Sequence, residues 1–210
     1  MKSHYTIPFF IPHQGCPFTC IFCQQRKISG RGSVVTAAQI AQTISRFSQL
    51  IPRERTHREV AFFGGSFTGI DRQEQETYLK AVLPFIESGA IHSVRVSTRP
   101  DFIDEEIFIF LKKYHVSTIE LGVQSICDDV LARAKRGHTG ADVRRASRQI
   151  VSNGLTLGHQ IMVGLPGSTV EKERRTARAA IALGAREARV YPVVVIRGTA
   201  LAVLAKKGRY

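Results

Sequence analysis

The feature that most constrains the fold of this chain is a sixfold alternation of short β-rich runs with amphipathic stretches. Ile7–Ile11, Glu59–Phe63, Ser93–Ser97, Thr118–Gly122, Thr156–Val163 and Glu187–Val195 read as strands. Thr36–Leu50, Gln73–Glu87, Asp104–Tyr114, Ala141–Ser152, Thr169–Leu183 and Ala200–Lys206 read as helices. Within Gln73–Glu87, Leu79, Val82, Leu83 and Ile86 recur at three- and four-residue spacing, the stripe of a helix packed on a sheet. Asp104 and Thr169 offer side-chain oxygens to helix starts, and Gly89, Gly154 and Gly184 stand where helices should stop. This alternation predicts a parallel, right-handed α/β array. A full eight-unit barrel takes ~250 residues, so six units in 210 residues predict a partial (β/α)6 barrel of the TIM type. With no linker, repeat or low-complexity segment, residues 1–210 read as a single domain. Lys206 to Tyr210 read as a helix end and turn leading onward, which leaves open a missing C-terminal extension.

Composition removes several function classes. A hydrophobic fraction of 43% can build a core, and 30 Lys and Arg against 17 Asp and Glu give a net charge of +13. An acidic solvating chain and a disordered basic tail are both excluded. No apolar run approaches the ~18 residues that cross a bilayer. The opening MKSHYTIPFF is interrupted at Pro8, with Pro12 soon after, and lacks a small-residue cleavage site. The expectation is a cytoplasmic protein with no membrane association.

Three of the four cysteines, Cys16, Cys20 and Cys23, fall within eight residues. A chain of this size does not need a disulfide framework, so clustered thiols read first as metal ligands. Three thiolates at this spacing on one loop, placed at residues 12–27, can hold three corners of a [4Fe–4S] cluster and leave one iron without a protein ligand. An open coordination position is where a substrate or cosubstrate binds directly. Phe18, Ile21 and Phe22 would shield the cluster, and Arg26 and Lys27 would favour the thiolates. The rival is structural zinc with His13 as fourth ligand, but zinc sites more often draw paired cysteines from two segments.

The run IPHQGCPFTCIFCQQRKISG resembles the signature of radical S-adenosylmethionine enzymes, and within them the Elongator-like branch, close to the oxygen-independent coproporphyrinogen oxidases. FFGGSFTG (62–69), STRPD (97–101), IELGVQS (119–125), RGHT (136–139), MVGLPG (162–167) and YPVVVIRGTAL (191–201) extend the resemblance over nearly the whole chain. It implies that Cys16, Cys20 and Cys23 hold a [4Fe–4S] cluster and that S-adenosylmethionine is chelated on the open iron. It further implies reductive cleavage of S-adenosylmethionine to a 5′-deoxyadenosyl radical that abstracts a substrate hydrogen, the hard chemistry belonging to the cofactor.

The remaining polar and Gly-rich signals fall just after predicted strands, at the end of a βα barrel where ligands bind. The resemblance assigns Gly64 and Gly65 to the amino group of S-adenosylmethionine, with Ser66 beside them as a further cofactor-binding candidate; the ordinary alternative is a strand-to-loop turn. Thr98 and Arg99, with Ser97, offer hydroxyl and guanidinium donors to a ribose or carboxylate, or simply end a strand before Pro100. Gln124 and Ser125 could orient ligand or cap the next helix. Glu120 is expected to pair with a cation inside the barrel, Arg99 being one candidate. Gln160 and Met162 alternate on one strand and should share the interior face, with Gln160 toward cofactor and Met162 as core. Arg197 could meet the methionyl carboxylate or an anionic substrate, or lie on the surface. Cys127 departs from the branch pattern and reads as a helix-start residue.

Arg133, Lys135, Arg136, Arg144, Arg145 and Arg148 form one basic stretch; Lys172, Arg174, Arg175 and Arg178 form another. Such patches suit phosphate backbones or merely solvated helix faces. Resemblance to enzymes that modify wobble uridine makes transfer RNA the leading substrate class, with a flavodoxin- or ferredoxin-like electron donor. The rivals are a porphyrinogen-type small-molecule enzyme, an inactive or truncated cofactor-binding barrel, and a zinc module.

Overall fold

The computed structural model describes residues 4–11, 15–17, 20–24, 35–51 and 56–210. His13, Phe18, Arg26 and Lys27, to which the sequence reading gave supporting roles, lie outside them. Six strands, β1 (His4–Ile11), β2 (His57–Gly64), β3 (Ser93–Thr98), β4 (Val116–Gln124), β5 (Thr156–Val163) and β6 (Glu187–Pro192), form one sheet in sequential order. Every neighbouring pair is parallel. The helices are α1 (Ala37–Leu50), α2 (Arg72–Glu87), α3 (Glu105–Lys113), α4 (Asp128–Arg133), α5 (Gly140–Ser152), α6 (Val170–Ala182) and α7 (Ala200–Lys206). With β1 and β6 as the two ends of the strand order, this is the expected partial (β/α)6 barrel.

The sheet's outer face and the helix stripes make the core. Val60, Phe62, Val94, Val96, Ile119 and Leu121 meet Ile44, Leu79, Val82, Ile107, Leu111 and Ile150, all buried. Leu83 and Ile86, read as part of the α2 stripe, are only half-buried. Side-chain oxygens start the helices as expected: Asp104 accepts from Ile107 N and Thr169 from Lys172 N. Gly89, Gly154 and Gly184 follow α2, α5 and α6 with positive φ.

β1 starts at His4 rather than Ile7, β2 and β4 extend past their read limits at both ends, and two further elements differ from the sequence reading. β6 stops at Pro192 rather than Val195, because its only neighbour, β5, ends at Val163 and leaves the last valines without a partner strand. The helix α4 went unread; six residues are too few to show a period. Cys127 is its N-cap and, as expected, begins a helix.

The inner face of the sheet is ionic. Arg95 sits at its centre, donating from Nε to Glu59 Oε1 (2.9 Å) and from Nη1 to Glu120 Oε1 (2.7 Å) and Glu187 Oε2 (2.5 Å). Burial opposes its charge, but Glu187, Glu59 and Glu120 outweigh that and raise its pKa. Glu120 is therefore paired, but with Arg95 and with Arg189 (3.0 Å), not with Arg99, which instead grips its near neighbour Asp101. Gly158, opposite Glu120 in register, makes room for it: a Cβ there would lie 2.9 Å from Glu120 Cγ.

Candidate active site

The cysteine loop leaves the carboxyl end of β1 and is pressed onto the turn after β2. Gly15 makes this possible. Its φ is +66, and a Cβ on it would lie 2.2 Å from the Ser66 carbonyl oxygen, so only glycine lets the two backbones meet. Further along, Ile21 N donates to Ala134 O (3.2 Å), Cys23 N to Cys20 O (3.0 Å), and Leu201 N to Ile21 O (2.8 Å). The loop is thus pinned to the end of α4 and the start of α7.

All four cysteines are thiols; Cys16 and Cys23 are half-buried, Cys20 and Cys127 buried. Cys16 and Cys23 line a cavity of about 210 Å³ at the carboxyl ends of the strands. Gly64, Gly65, Ser66, Thr98, Arg99, Gln124 and Gln160 line the same cavity, so most of the residues picked from the sequence converge there. Cys20 lies behind it, its sulfur covered by Arg136.

Within this wall the hydroxyls are tied to each other. Ser66 Oγ lies 2.9 Å from Thr98 Oγ1, which lies 2.6 Å from Thr68 Oγ1, and the backbone N–H of Arg99 donates to Ser66 Oγ (3.1 Å). Gln160 Nε2 donates to Glu120 Oε2 (2.9 Å) and Ser97 Oγ (3.3 Å), which links the cavity floor to the ionic interior. Gln124 ends β4 with φ +63, a conformation rare for a non-glycine residue, and its buried Oε1 has no hydrogen-bond partner among the described residues.

Besides Cys20, two chosen residues are not brought to the cavity. Ser125 Oγ turns away to accept from the N–H of Cys127 (3.2 Å), beside Thr176 Oγ1 (3.4 Å), so it shapes the entry to α4 instead. Arg197 is exposed and lines neither this cavity nor the next, because the segment after β6 leaves the sheet. One residue missed as a site residue is Arg136. It is buried, lines the cavity, donates from Nη1 to Cys20 Sγ (3.2 Å) and from Nη2 to Gly122 O (2.7 Å). The RGHT run contained it, but nothing local says that an arginine so far along the chain meets the cysteine loop. Next to it His138 is buried; burial first, then Arg136 and Arg99, lower its pKa to about 4, so the ring is neutral.

A larger cavity of about 720 Å³ adjoins the first and shares Phe22, Cys23, Gly65, Gln124 and Gln160 with it. Phe10, Phe63, Met162, Tyr191 and Ile196 make its wall largely apolar. Gln160 and Met162 both line this cavity, and Met162 also packs, partly buried, against the core. Arg189 stands over the Phe63 ring at 4.7 Å.

The donor set suits an iron–sulfur cluster better than one metal ion. Cys16, Cys20 and Cys23 are three thiols on one loop, two of them on the cavity wall. The corners of a four-iron cube stand further apart than the ligands of one ion, and the cube takes thiolates. Arg136 adds a donor to one of those sulfurs.

Residues 10–180 match the family model described as the radical SAM superfamily. The chain belongs to that superfamily. It is 26% identical over 202 residues to a tRNA uridine(34) acetyltransferase of Methanocaldococcus jannaschii, covering 86% of this chain and 37% of that protein. To the heme chaperone HemW of Bacillus subtilis it is 27% identical over 218 residues, covering all of this chain and 55% of HemW. Among solved structures, an Elp3 of Methanocaldococcus infernus with an N-terminal deletion superposes on the whole radical SAM chain with a TM-score of 0.78 at 21% identity, over 50% of that solved chain. The chain thus spans about half, or less, of the length of these relatives. No helix among its described residues is long and apolar enough to cross a membrane.

Proposed function

We propose that this radical SAM chain holds a [4Fe–4S] cluster on Cys16, Cys20 and Cys23 and cleaves S-adenosylmethionine in the cavity beside them. The observation that carries the reading is the single cavity shared by Cys16, Cys23, the Gly64–Gly65 turn and the polar ends of β3, β4 and β5. When bound, the cluster and S-adenosylmethionine supply one-electron cleavage of a carbon–sulfur bond and a 5′-deoxyadenosyl radical able to take a hydrogen atom.

The chain's own residues do the rest. Arg136 holds the Cys20 sulfur in place through its Nη1 hydrogen bond. The side-chain-free edge at Gly64 and Gly65 admits the amino acid end of the cosubstrate to backbone groups. Arg136 and Arg99 offer guanidinium charge to a carboxylate, and the unsatisfied Gln124 Oε1 offers an acceptor held ready by its strained backbone. The apolar wall of the larger cavity, with Phe10, Phe63 and Tyr191, excludes water from the substrate side.

The substrate class best supported is transfer RNA. The M. jannaschii relative is a tRNA-modifying enzyme, and Arg144, Arg145 and Arg148 stand together on one helix in a chain of charge +13. A flavodoxin- or ferredoxin-like protein would supply the electron. A porphyrinogen-type small molecule is the second reading, favoured by the match to HemW over the full chain and by the apolar cavity.

Anaerobic reconstitution with iron and sulfide, reduction with dithionite and assay for 5′-deoxyadenosine test the first claim. Cys20→Ala should lose at least 100-fold, about 2.7 kcal/mol of barrier; equal activity rejects the ligand assignment. RNA retention that falls steeply with salt supports the nucleic-acid substrate, and salt-independent retention counts against it.

A further inference from the structure

At the opposite end of the barrel, β1 and β2 begin with a pair of histidines in register. His4 is the Cα partner of His57, and Thr6 that of Glu59. A strand's two-residue period puts His57 and Glu59 on one face, the inner one, where Glu59 meets Arg95. His4 and His57 are exposed, Glu59 is buried, and the three donor atoms lie within 4.8 Å of one another. His4 lies seven residues before the end of β1, so roughly 23 Å of strand separates this cluster from the start of the cysteine loop.

We infer that His4, His57 and Glu59 form a second metal site, for a zinc-class divalent transition ion, at the amino-terminal mouth of the barrel. Two imidazoles and one carboxylate are a donor set used by zinc and its neighbours, while magnesium and calcium take oxygen. Glu59 is already oriented as metal-bound carboxylates are: Thr6 Oγ1 (2.8 Å) and Arg95 Nε (2.9 Å) both donate to its Oε1. The His57 ring is held by a 2.8 Å contact between its Nε2 and Ser93 Oγ and by stacking on His92 at 5.2 Å.

Charge also calls for a cation there. Three carboxylates of the interior network, Glu59, Glu120 and Glu187, face two guanidiniums, Arg95 and Arg189. His4 Nε2 is 3.0 Å from Glu59 Oε1 of that network, and a metal ion would bridge the two in place of the direct contact. Tetrahedral zinc ligands stand ~3.4 Å apart; the exposed imidazoles can close the remaining distance by side-chain rotation. The ion would clamp β1, which among the described residues pairs only with β2, at the end remote from its cysteine loop.

This site does not depend on the cluster, and the test keeps the two apart. The full chain carrying Cys16→Ser, Cys20→Ser and Cys23→Ser, stripped with chelator, is titrated with zinc by calorimetry and with cobalt(II) by absorption. The expected result is one equivalent bound with micromolar affinity, a visible cobalt spectrum without a thiolate charge-transfer band, and at least 30-fold weaker binding after His4→Ala or His57→Ala. Zinc should also raise the thermal midpoint of the parent but of neither histidine variant. As a second measurement, on the wild-type, cluster-loaded chain, each histidine substitution should lower bound zinc by one equivalent. Zinc binding unchanged by both histidine substitutions, or absent from both the serine-substituted and the cluster-loaded chains, would overturn the site.

Discussion

Arg136 Nη1 donates to Cys20 Sγ across 3.2 Å, joining the loop after β1 to the segment between α4 and α5. The same guanidinium holds Gly122 O at 2.7 Å, so its position is set by the end of β4 rather than by the thiol. Arg136→Ala should lower 5′-deoxyadenosine formation at least 10-fold, in line with ~1.5–3 kcal/mol for a hydrogen bond to a charged group. Product measured by chromatography, normalised to iron content, checks this; wild-type rates would remove Arg136 from the site.

Gly15→Ala should spare the barrel and damage the loop. Its φ of +66 costs a side-chain-bearing residue about 1–2 kcal/mol, and the added methyl would meet the Ser66 carbonyl at 2.2 Å. Iron retained per chain after reconstitution should fall by more than half with the far-ultraviolet spectrum unchanged. Full iron loading would show that the loop does not need this close approach.

The ionic interior makes Arg95 the position where loss of one charge is most costly. Arg95→Met leaves the buried carboxylates of Glu59 and Glu120 without their shared partner. Breaking a buried ion pair typically costs ~3–5 kcal/mol, and urea unfolding should show a loss of that order. Glu187, half exposed, contributes little to it. A change below about 1 kcal/mol would mean that water or Arg189 compensates the pair.

His159 gives the chain an acid-side weakness. It is buried on β5, 2.9 Å from Ser147 Oγ, and burial lowers its pKa to about 4. Between the ordinary value near 6.5 and 4 the unfolded chain binds a proton that the folded chain refuses, so stability falls as pH drops through that window and is unaffected above it. His159→Gln should reduce but not abolish the fall in denaturation midpoint between pH 6.5 and 4, because buried His138 has the same low pKa. An unaltered pH profile would assign the acid sensitivity elsewhere.

Much of this was open to reading along the chain. Thr156–Val163 and Ala200–Lys206 have the limits expected of them, because alternation and capping are local properties. The cysteine spacing and the polar signals after each strand pointed to one end of the barrel, and nine of the residues chosen line one cavity there. Ser125 and Arg197 lie away from the cavity, as the alternatives read for them allowed: a residue just past a strand can turn toward the ligand or into the next element, and its neighbours in sequence do not say which. Arg99 shows the same ambiguity, lining the cavity while its guanidinium closes on Asp101.

The sequence alone determined the repeating unit, the parallel sheet and the three-thiol loop, since each depends on a period or a spacing within a few residues. Tertiary structure decided which charges meet. Strand register puts Arg95 between Glu59 and Glu120, sheet order sets His4 beside His57, and the return of the chain after β4 lays Arg136 on Cys20, 116 residues away. Such contacts depend on the register and order of strands across the whole sheet, which no single segment carries.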